Sequence, residues 1–488
     1  MTRARLERDR RASRPDPRSR GPAAMPSSPM PTSAISASPD LAEQYAAWAC
    51  ALRYADAPRD VRQALRNCLL YNLAMALAVD PADDPLGDTL GAVARQAGAA
   101  RLFGGRGARS AQDAAFINAA LVTARGQNDT HPDVVAHIGC IVIPAVLALA
   151  DEEQAAWPDV LDALLAGYEL IPRLARGMAE ATSRRGLRAT PLYGVLGAAV
   201  ACARLLRLPV PRAAAALSIA TQYACGTMQP WVDGSQEWRL QVAKASRDAV
   251  SAALLARAGL QGARRALEGD SGFARAYAGG AAGPADFSGW RLPEMAFKPY
   301  PGCAFNQAPV HALRELLRRT GIDPGQVAAL EVAMHPFDAG YPGIDAYGPF
   351  PSPSGAIMSA PFMLAATLRD GQPGMAHFGR DYADGPLHAR SARVRIRACE
   401  TVARWACRVV ATLEDGTRHE GACDGGFVLD WAQTVALGRA VSREWPGAGQ
   451  PRRYAALARA VEDLEASARA GWPALQAAAY DQAVNDHA

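Results

Sequence analysis

Lysine is nearly absent from this chain: of 52 basic residues, only Lys244 and Lys298 carry an amine. Arginine therefore serves wherever a generic cation suffices. A surviving lysine points to work that guanidinium cannot do, such as giving up a proton or acting as a compact point charge. Aromatic residues are also few, at 7%, while alanine is abundant, which favours helices over an all-β sandwich. No apolar run reaches the ~18 residues needed to span a bilayer, so no membrane partner is expected. The nine cysteines include no Cys-x-x-Cys pair, which argues against a zinc knuckle or a dithiol redox centre. Free thiols in a reducing cytoplasm are the simplest account.

What is present is globular. Hydrophobic residues make up 50% and charged residues 20% of the 488 positions, enough for two domains rather than one core. The formal charge of +4 is unevenly placed: residues 1–22 carry a local excess of five, leaving the rest at −1. A neutral body gives no case for nucleic-acid binding. The basic start runs into PAAMPSSPMPTSAIS and not into an apolar segment. It reads as a disordered extension over 1–37 and not as a signal peptide.

Order is expected from Ser38-Pro39-Asp40, with proline at the first helical position and acids in the first turn. Val61, Leu65, Cys68 and Leu69 then recur at helical spacing. Alanine-rich helical segments follow at 111–125, 138–150, 158–178, 191–206, 212–225 and 245–258. The stretch 194–206 is apolar on almost every side, which predicts a place inside a bundle. After about residue 290 the pattern switches to alternation: Leu330, Val332 and Met334, then Val394, Ile396 and Ala398. Val409, Ala411 and Leu413 lead into Asp415-Gly416, a hairpin turn signal. Between these strands, 359–369 reads as helix. Helical spacing returns with Tyr454, Leu457, Val461 and Leu464. The expected fold is mainly α: a large all-helical domain built from both chain ends, 38–280 and 426–482, with an inserted smaller α+β lid domain over 281–425.

Two places could carry chemistry. Lys298 lies in AFKPYPGCAFNQ, a Pro/Gly loop at the expected domain junction, where ligand sites concentrate. Lys244 falls within a helical segment and has the same rarity to recommend it. The loop GQNDTHPDVVAHIG, 126–139, gathers Asp129, Thr130, His131 and His137 between two apolar helices. Asp and Thr suit a helix N-cap, which is their structural alternative. Two imidazoles offer a general base titrating near neutrality and a carboxylate-binding cation. The His-x5-His spacing brings no obvious further ligands, so no metal site is expected.

Five segments, in order, resemble those of the MmgE/PrpD family, which includes 2-methylcitrate dehydratases, cis-aconitate decarboxylases and iminodisuccinate epimerases. FINAALVTARGQNDTHPDVVAHIGCIVIPAVLALAD is similar to the family's Asp-Phe-Asp-Asp-Thr stretch followed by His-Pro-Ser. LRATPLYGVLGAAVACARLLRL resembles its His-Pro-Thr-x-x-x-Gly helix, and ALSIATQYACGTM the next. LQVAKASRDAVSAALLARAGLQGARRALEGDSGF and FKPYPGCAFNQAPVHAL complete the set. The resemblance implies the helical-domain-plus-lid fold, no cofactor, a homodimer, and a site between the domains. It places Asp129 and Thr130 at the end of the acidic motif, His137 at the His-Pro-Ser histidine, and Lys298 at the lysine before the Pro-rich loop. Tyr341 matches a lid tyrosine. Gly126, Asn128, Arg188, Trp238, Gln241 and Cys303 stand where the family has acidic, histidine or lysine residues.

The family's reactions remove a proton or carbon dioxide beside a carboxylate, so fixed cations in a dry cleft stabilise the charge that develops. On that logic His137, Asp129, Thr130 and Lys298 form the catalytic set. Arg188, Arg239, Lys244, Tyr341 and His131 are the substrate-binding candidates. The expected activity is a cofactor-independent lyase, dehydratase or decarboxylase, acting on a small di- or tricarboxylic acid. An epimerase of a dicarboxylate is the first alternative, favoured by the lost histidines. A non-catalytic carboxylate-binding relative is the second.

Overall fold

In the computed structural model, described over residues 39–80, 86–379, 381–464 and 471–480, the first helix starts later than its proline suggests. Asp40 is the N-cap of Leu41–Ala51. Its carboxylate accepts the Glu43 N–H at 2.9 Å while Glu43 accepts the Asp40 N–H at 3.3 Å. This reciprocal capping box places the proline before the helix and not in its first turn. The expected extension over 1–37 lies outside the described residues.

Arg59–Leu77 follows, with Val61, Leu65, Cys68 and Leu69 all buried. The alanine-rich segments form Ala111–Thr123, Gly139–Glu152, Trp157–Ala175, Ala189–Leu205, Val210–Ala220 and Trp238–Ala258. Every residue of Ala189–Leu205 is buried, as its apolar surround predicts. It packs on Gly139–Glu152, Trp157–Ala175 and Trp238–Ala258. The chain's later helices return to its beginning. Trp431–Val441 and Gln450–Glu462 pack on Arg59–Leu77, and Trp445 donates its indole N–H to the Ala74 carbonyl at 3.1 Å. One buried apolar cluster accordingly gathers residues from 42–297 and 441–480.

A short antiparallel pair, β1 (Ala100–Arg101) and β2 (Ala108–Arg109), sits among these helices. The main sheet has four strands: β3 (Val327–Met334), β4 (Val394–Ala398), β5 (Cys407–Leu413) and β6 (Arg418–Cys423), in the order β4-β3-β5-β6. β3 runs parallel to β4, with Val332 opposite Ile396, and antiparallel to β5, which pairs antiparallel with β6. The Asp415-Gly416 turn closes that last hairpin. Leu330, Val332, Met334, Val409 and Ala411 form the buried face. Gln307–Thr320 packs on β5 and β6, and Ala360–Asp370 on β4. Ala398, expected on the buried face, is exposed at the end of β4, an edge strand.

A second apolar cluster takes residues from 300–411 together with Met228, Trp231 and Trp238. The two tryptophans thus join the sheet-containing part although Trp238 opens the last alanine-rich helix and Trp231 sits on the short helix Gln229–Asp233 just before it. The fold is mainly α with two small sheets among the described residues. No helix among them is long and apolar enough to cross a membrane.

Candidate active site

The 126–139 loop is pinned at both ends. Asn128 donates to the Val122 carbonyl at 3.1 Å and accepts the Thr123 hydroxyl at 3.1 Å. Thr130 and Ala296 exchange two backbone hydrogen bonds, at 2.8 and 2.9 Å, which tie the loop to the segment carrying Lys298. The His131 N–H then donates to the Ala136 carbonyl at 2.9 Å. Inside that tight turn Val135 has φ 51°, a left-handed conformation that β-branched residues rarely adopt. The turn separates the two histidines, one on each side of the loop.

Asp129 is fully buried and does not line the cavity described below. Its carboxylate accepts the Gly139 N–H at 2.9 Å, the Tyr168 hydroxyl at 2.6 Å and the Asn72 amide at 2.9 Å. It therefore satisfies an orphan donor at the start of Gly139–Glu152 and fastens the loop to that helix. Burial raises its pKa, and the three hydrogen bonds oppose the rise. Glycine is required at 139. A Cβ there would meet Asn72 Nδ2 at 2.3 Å, Tyr168 Oη at 2.4 Å and Asp129 Oδ2 at 2.6 Å.

His137 is positioned through its backbone N–H, which donates to Thr190 Oγ1 at 3.0 Å. Its ring Nδ1 lies 2.9 Å from Thr130 Oγ1 and 3.3 Å from the Asp129 carbonyl oxygen. A carbonyl only accepts, and the Thr130 hydroxyl gives its own proton to the Asn128 carbonyl at 3.3 Å. Nδ1 is thus the N–H nitrogen and Nε2 carries the lone pair. Burial, reinforced by the charges of Lys298 and Arg188, holds this imidazole well below its ordinary pKa. It is neutral at neutral pH.

Lys298 is 3% exposed. Its ammonium donates to the Gly126 carbonyl at 2.6 Å and the Gly302 carbonyl at 3.2 Å. No carboxylate pairs with it in the described structure. The Tyr71 hydroxyl accepts from its backbone N–H at 3.2 Å and donates to its carbonyl at 3.1 Å, and Gln127 donates to the same carbonyl at 3.0 Å. Burial lowers the amine to about 8, with Arg188 adding in the same sense. Gly126 turns the chain at φ 62°, and a Cβ on it would press on Ile357 at 3.2 Å and Gly302 at 3.3 Å. The position where the family has an acid is here a glycine whose backbone oxygen holds the lysine.

Arg188 is the N-cap residue of Ala189–Leu205. Its Nη1 donates to the Trp238 carbonyl at 2.7 Å, and its guanidinium lies 5.1 Å from the Trp231 ring centroid and 5.7 Å from that of Trp238. His137, Arg188, Lys298 and Tyr341 line one cavity, with the two tryptophans as part of its wall. Burial keeps the Tyr341 hydroxyl protonated far above neutrality. The cavity measures about 30 Å³, room for roughly one or two waters. No acidic side chain lines it. A groove of about 620 Å³ along the sheet holds none of the predicted residues, so convergent polar chemistry and not size makes the smaller cavity the candidate.

The other candidates lie elsewhere. Thr130 reaches the cavity only through His137. His131 faces Glu294, at 3.2 Å. Arg239 donates to the Ala124 carbonyl at 3.2 Å and packs on Trp238, outside the lining. Lys244 pairs with Asp248 and donates to the Tyr223 carbonyl at 3.2 Å. Sequence reasoning missed Trp231, Thr190 and Phe305 as lining residues. Thr190 stands two residues after Arg188, and Trp231 precedes Trp238 by one turn-rich segment, but nothing in the pattern singled out Phe305.

Fold and cavity together define a mainly helical protein with a small cavity where an arginine, a lysine, a histidine and a tyrosine converge. Models of the MmgE/PrpD N-terminal domain match residues 43–284, and of the MmgE/PrpD C-terminal domain residues 300–426. The chain belongs to the MmgE/PrpD family. It is similar to a cis-aconitate decarboxylase-like protein of Aspergillus oryzae, 28% identical over 231 residues, covering 45% of this chain and 48% of that protein. It is also similar to the cis-aconitate decarboxylases of Homo sapiens, 30% identical over 171 residues (34% and 35% covered), and Mus musculus, 31% over 205 (38% and 40%). The chain thus spans half or less of the length of these relatives.

Proposed function

We propose that this protein is a cofactor-independent lyase that removes water or carbon dioxide from a small di- or tricarboxylic acid. The observation that carries the reading is a cavity lined by two cations and a neutral imidazole, with no acid among its walls. Lys298 and Arg188 hold a substrate carboxylate and stabilise the charge that grows on its oxygens as the neighbouring carbon loses its proton or carbon dioxide. The Nε2 of His137 moves the proton, and Thr130 with the Asp129 carbonyl keeps the ring in the required tautomer. Tyr341, which lines the same cavity and stays protonated at all working pH values, gives a proton to a leaving oxygen. A cavity of about 30 Å³ has no room for a polycarboxylate, and in this reading the sheet-containing part acts as a lid that opens for entry.

An epimerase is the second reading. The specific observation behind it is that the cavity holds a single imidazole, with Arg188 and Cys303 where the family has histidines. Proton removal and return beside a carboxylate needs fewer acid groups than elimination. Incubation with di- and tricarboxylates in heavy water tests both readings. Deuterium at the carbon next to a carboxylate together with an absorbing alkene supports the lyase, and deuterium with inversion and no alkene supports the epimerase. Binding without exchange on any such acid would leave only a carboxylate-binding protein and overturn both.

A further inference from the structure

The second histidine of the 126–139 loop has its own surroundings. The His131 ring is buried, at 1% exposure; its Nδ1 has no hydrogen-bond partner among the described residues, and its Nε2 has only the contact with Glu294. Its Nε2 points at Glu294, 3.2 Å from Oε2. Asp133, two residues on, completes a cluster: one ligand atom from each of His131, Asp133 and Glu294 lies within 4.8 Å of the others. Among the described residues Asp133 has no protein cation within ion-pair distance. Arg291 pairs with Glu294, so of the two carboxylates Asp133 is the one left without a protein counter-charge among the described residues.

We propose that His131, Asp133 and Glu294 form a binding site for one divalent cation of the Mn2+ or Zn2+ kind. An imidazole nitrogen and two carboxylate oxygens are a donor set that both ions accept. Arg291 engages the other oxygen of Glu294, Nη1 to Oε1 at 3.2 Å, and so turns Oε2 toward the histidine. Such outer-shell contacts orient metal-binding carboxylates in general. Asp133 is exposed, which opens the point to solvent for ion entry and for the waters that complete coordination. Two of the ligands follow Thr130 in the loop, and the third ends the Leu292–Glu294 turn, two residues before Ala296. The cation thus clamps the segment carrying His137 to the segment carrying Lys298, beside the Thr130–Ala296 backbone pair. No single stretch of sequence contains the set, which is why the histidine spacing alone pointed away from a metal.

The test uses the full chain after treatment with a chelator. It is titrated with MnCl2 by calorimetry and melted with and without Mn2+. Manganese is chosen because the nine thiols compete for softer ions. One saturable equivalent is expected, with a rise in melting temperature. Asp133→Asn and Glu294→Gln should each weaken binding about tenfold or more. Because Asp133 is exposed, its variant keeps the fold even if the Glu294 variant does not. Absence of saturable binding, or wild-type affinity in either folded variant, overturns the proposal.

Discussion

The two lysines sit in opposite surroundings. Lys244 is about one-third exposed on the Trp238–Ala258 helix, and its ammonium meets Asp248 one helical turn on. Lys298 is buried and meets only carbonyl oxygens. Rarity in the sequence marks both equally, yet the physics separates them. A surface i,i+4 pair contributes about 0.3–0.5 kcal/mol and needs no functional explanation. An ammonium held in a dry site without a counter-ion costs stability, and such a charge persists where an anion completes it. The difference teaches that scarcity nominates a residue while solvation and pairing decide its role.

The sharpest way to break the comparison is to remove each amine. Lys298→Ala should lower kcat/KM by about 10²–10³-fold, the scale for losing one preorganised donor to a developing charge. Lys298→Arg should restore little, because the planar fork must enter the space where the Gly126 and Gly302 carbonyls converge. Full rescue by arginine in steady-state assays would show that generic charge suffices. His137→Ala should cost roughly a hundredfold in kcat with KM and melting temperature nearly unchanged. A large loss of stability with activity per folded molecule intact would instead make it a core imidazole.

A pH series sharpens the contrast. The Lys298 amine falls from 10.5 to about 8 on folding, so substrate affinity should weaken as pH rises through about 8. The stability term has the opposite sign. Between about 8 and 10.5 the unfolded chain still binds the proton that the folded chain has released, and the cost of burial is relieved as pH rises. His137 is held below 6.5, so the acid limb of the rate profile should lie below that value. Titration of KM and melting temperature over the same range checks both signs. Smaller still, Gly139→Ala should destabilise by about 1–3 kcal/mol in urea, since its Cβ overlaps the Asp129 network. Lys244→Met should change stability by no more than about 0.5 kcal/mol and leave turnover untouched.

Much of the fold was legible. The alanine-rich helices, the alternating β3 and β5 and the Asp415-Gly416 hairpin follow from periodicity and turn chemistry that act locally. Asp40 took the cap from Pro39 because Glu43 completed a box, a detail three residues wide. The lining of the candidate cavity was legible only where chemistry coincided with scarcity or a family motif, as at Lys298, His137, Arg188 and Tyr341. His131 and His137 share one loop, and only the bridge between His131 and Ala136 sends them to different neighbours. Asp129 turned its carboxylate to Asn72 and Tyr168, partners from other helices that no local pattern reveals. Arg239 and Lys244 likewise were decided by packing across the bundle.

With two lysines in the chain, 15N-lysine labelling yields two amine signals, assigned by the loss of one in Lys298→Met. Titration from pH 6 to 11, with and without a saturating small dicarboxylate, measures the buried amine directly. The Lys298 signal should titrate near 8 alone, and move to higher pH when the anion binds. A midpoint in the ordinary lysine range of about 10.4, or no response to any carboxylate, would contradict the assignment of this amine to a dry anion site.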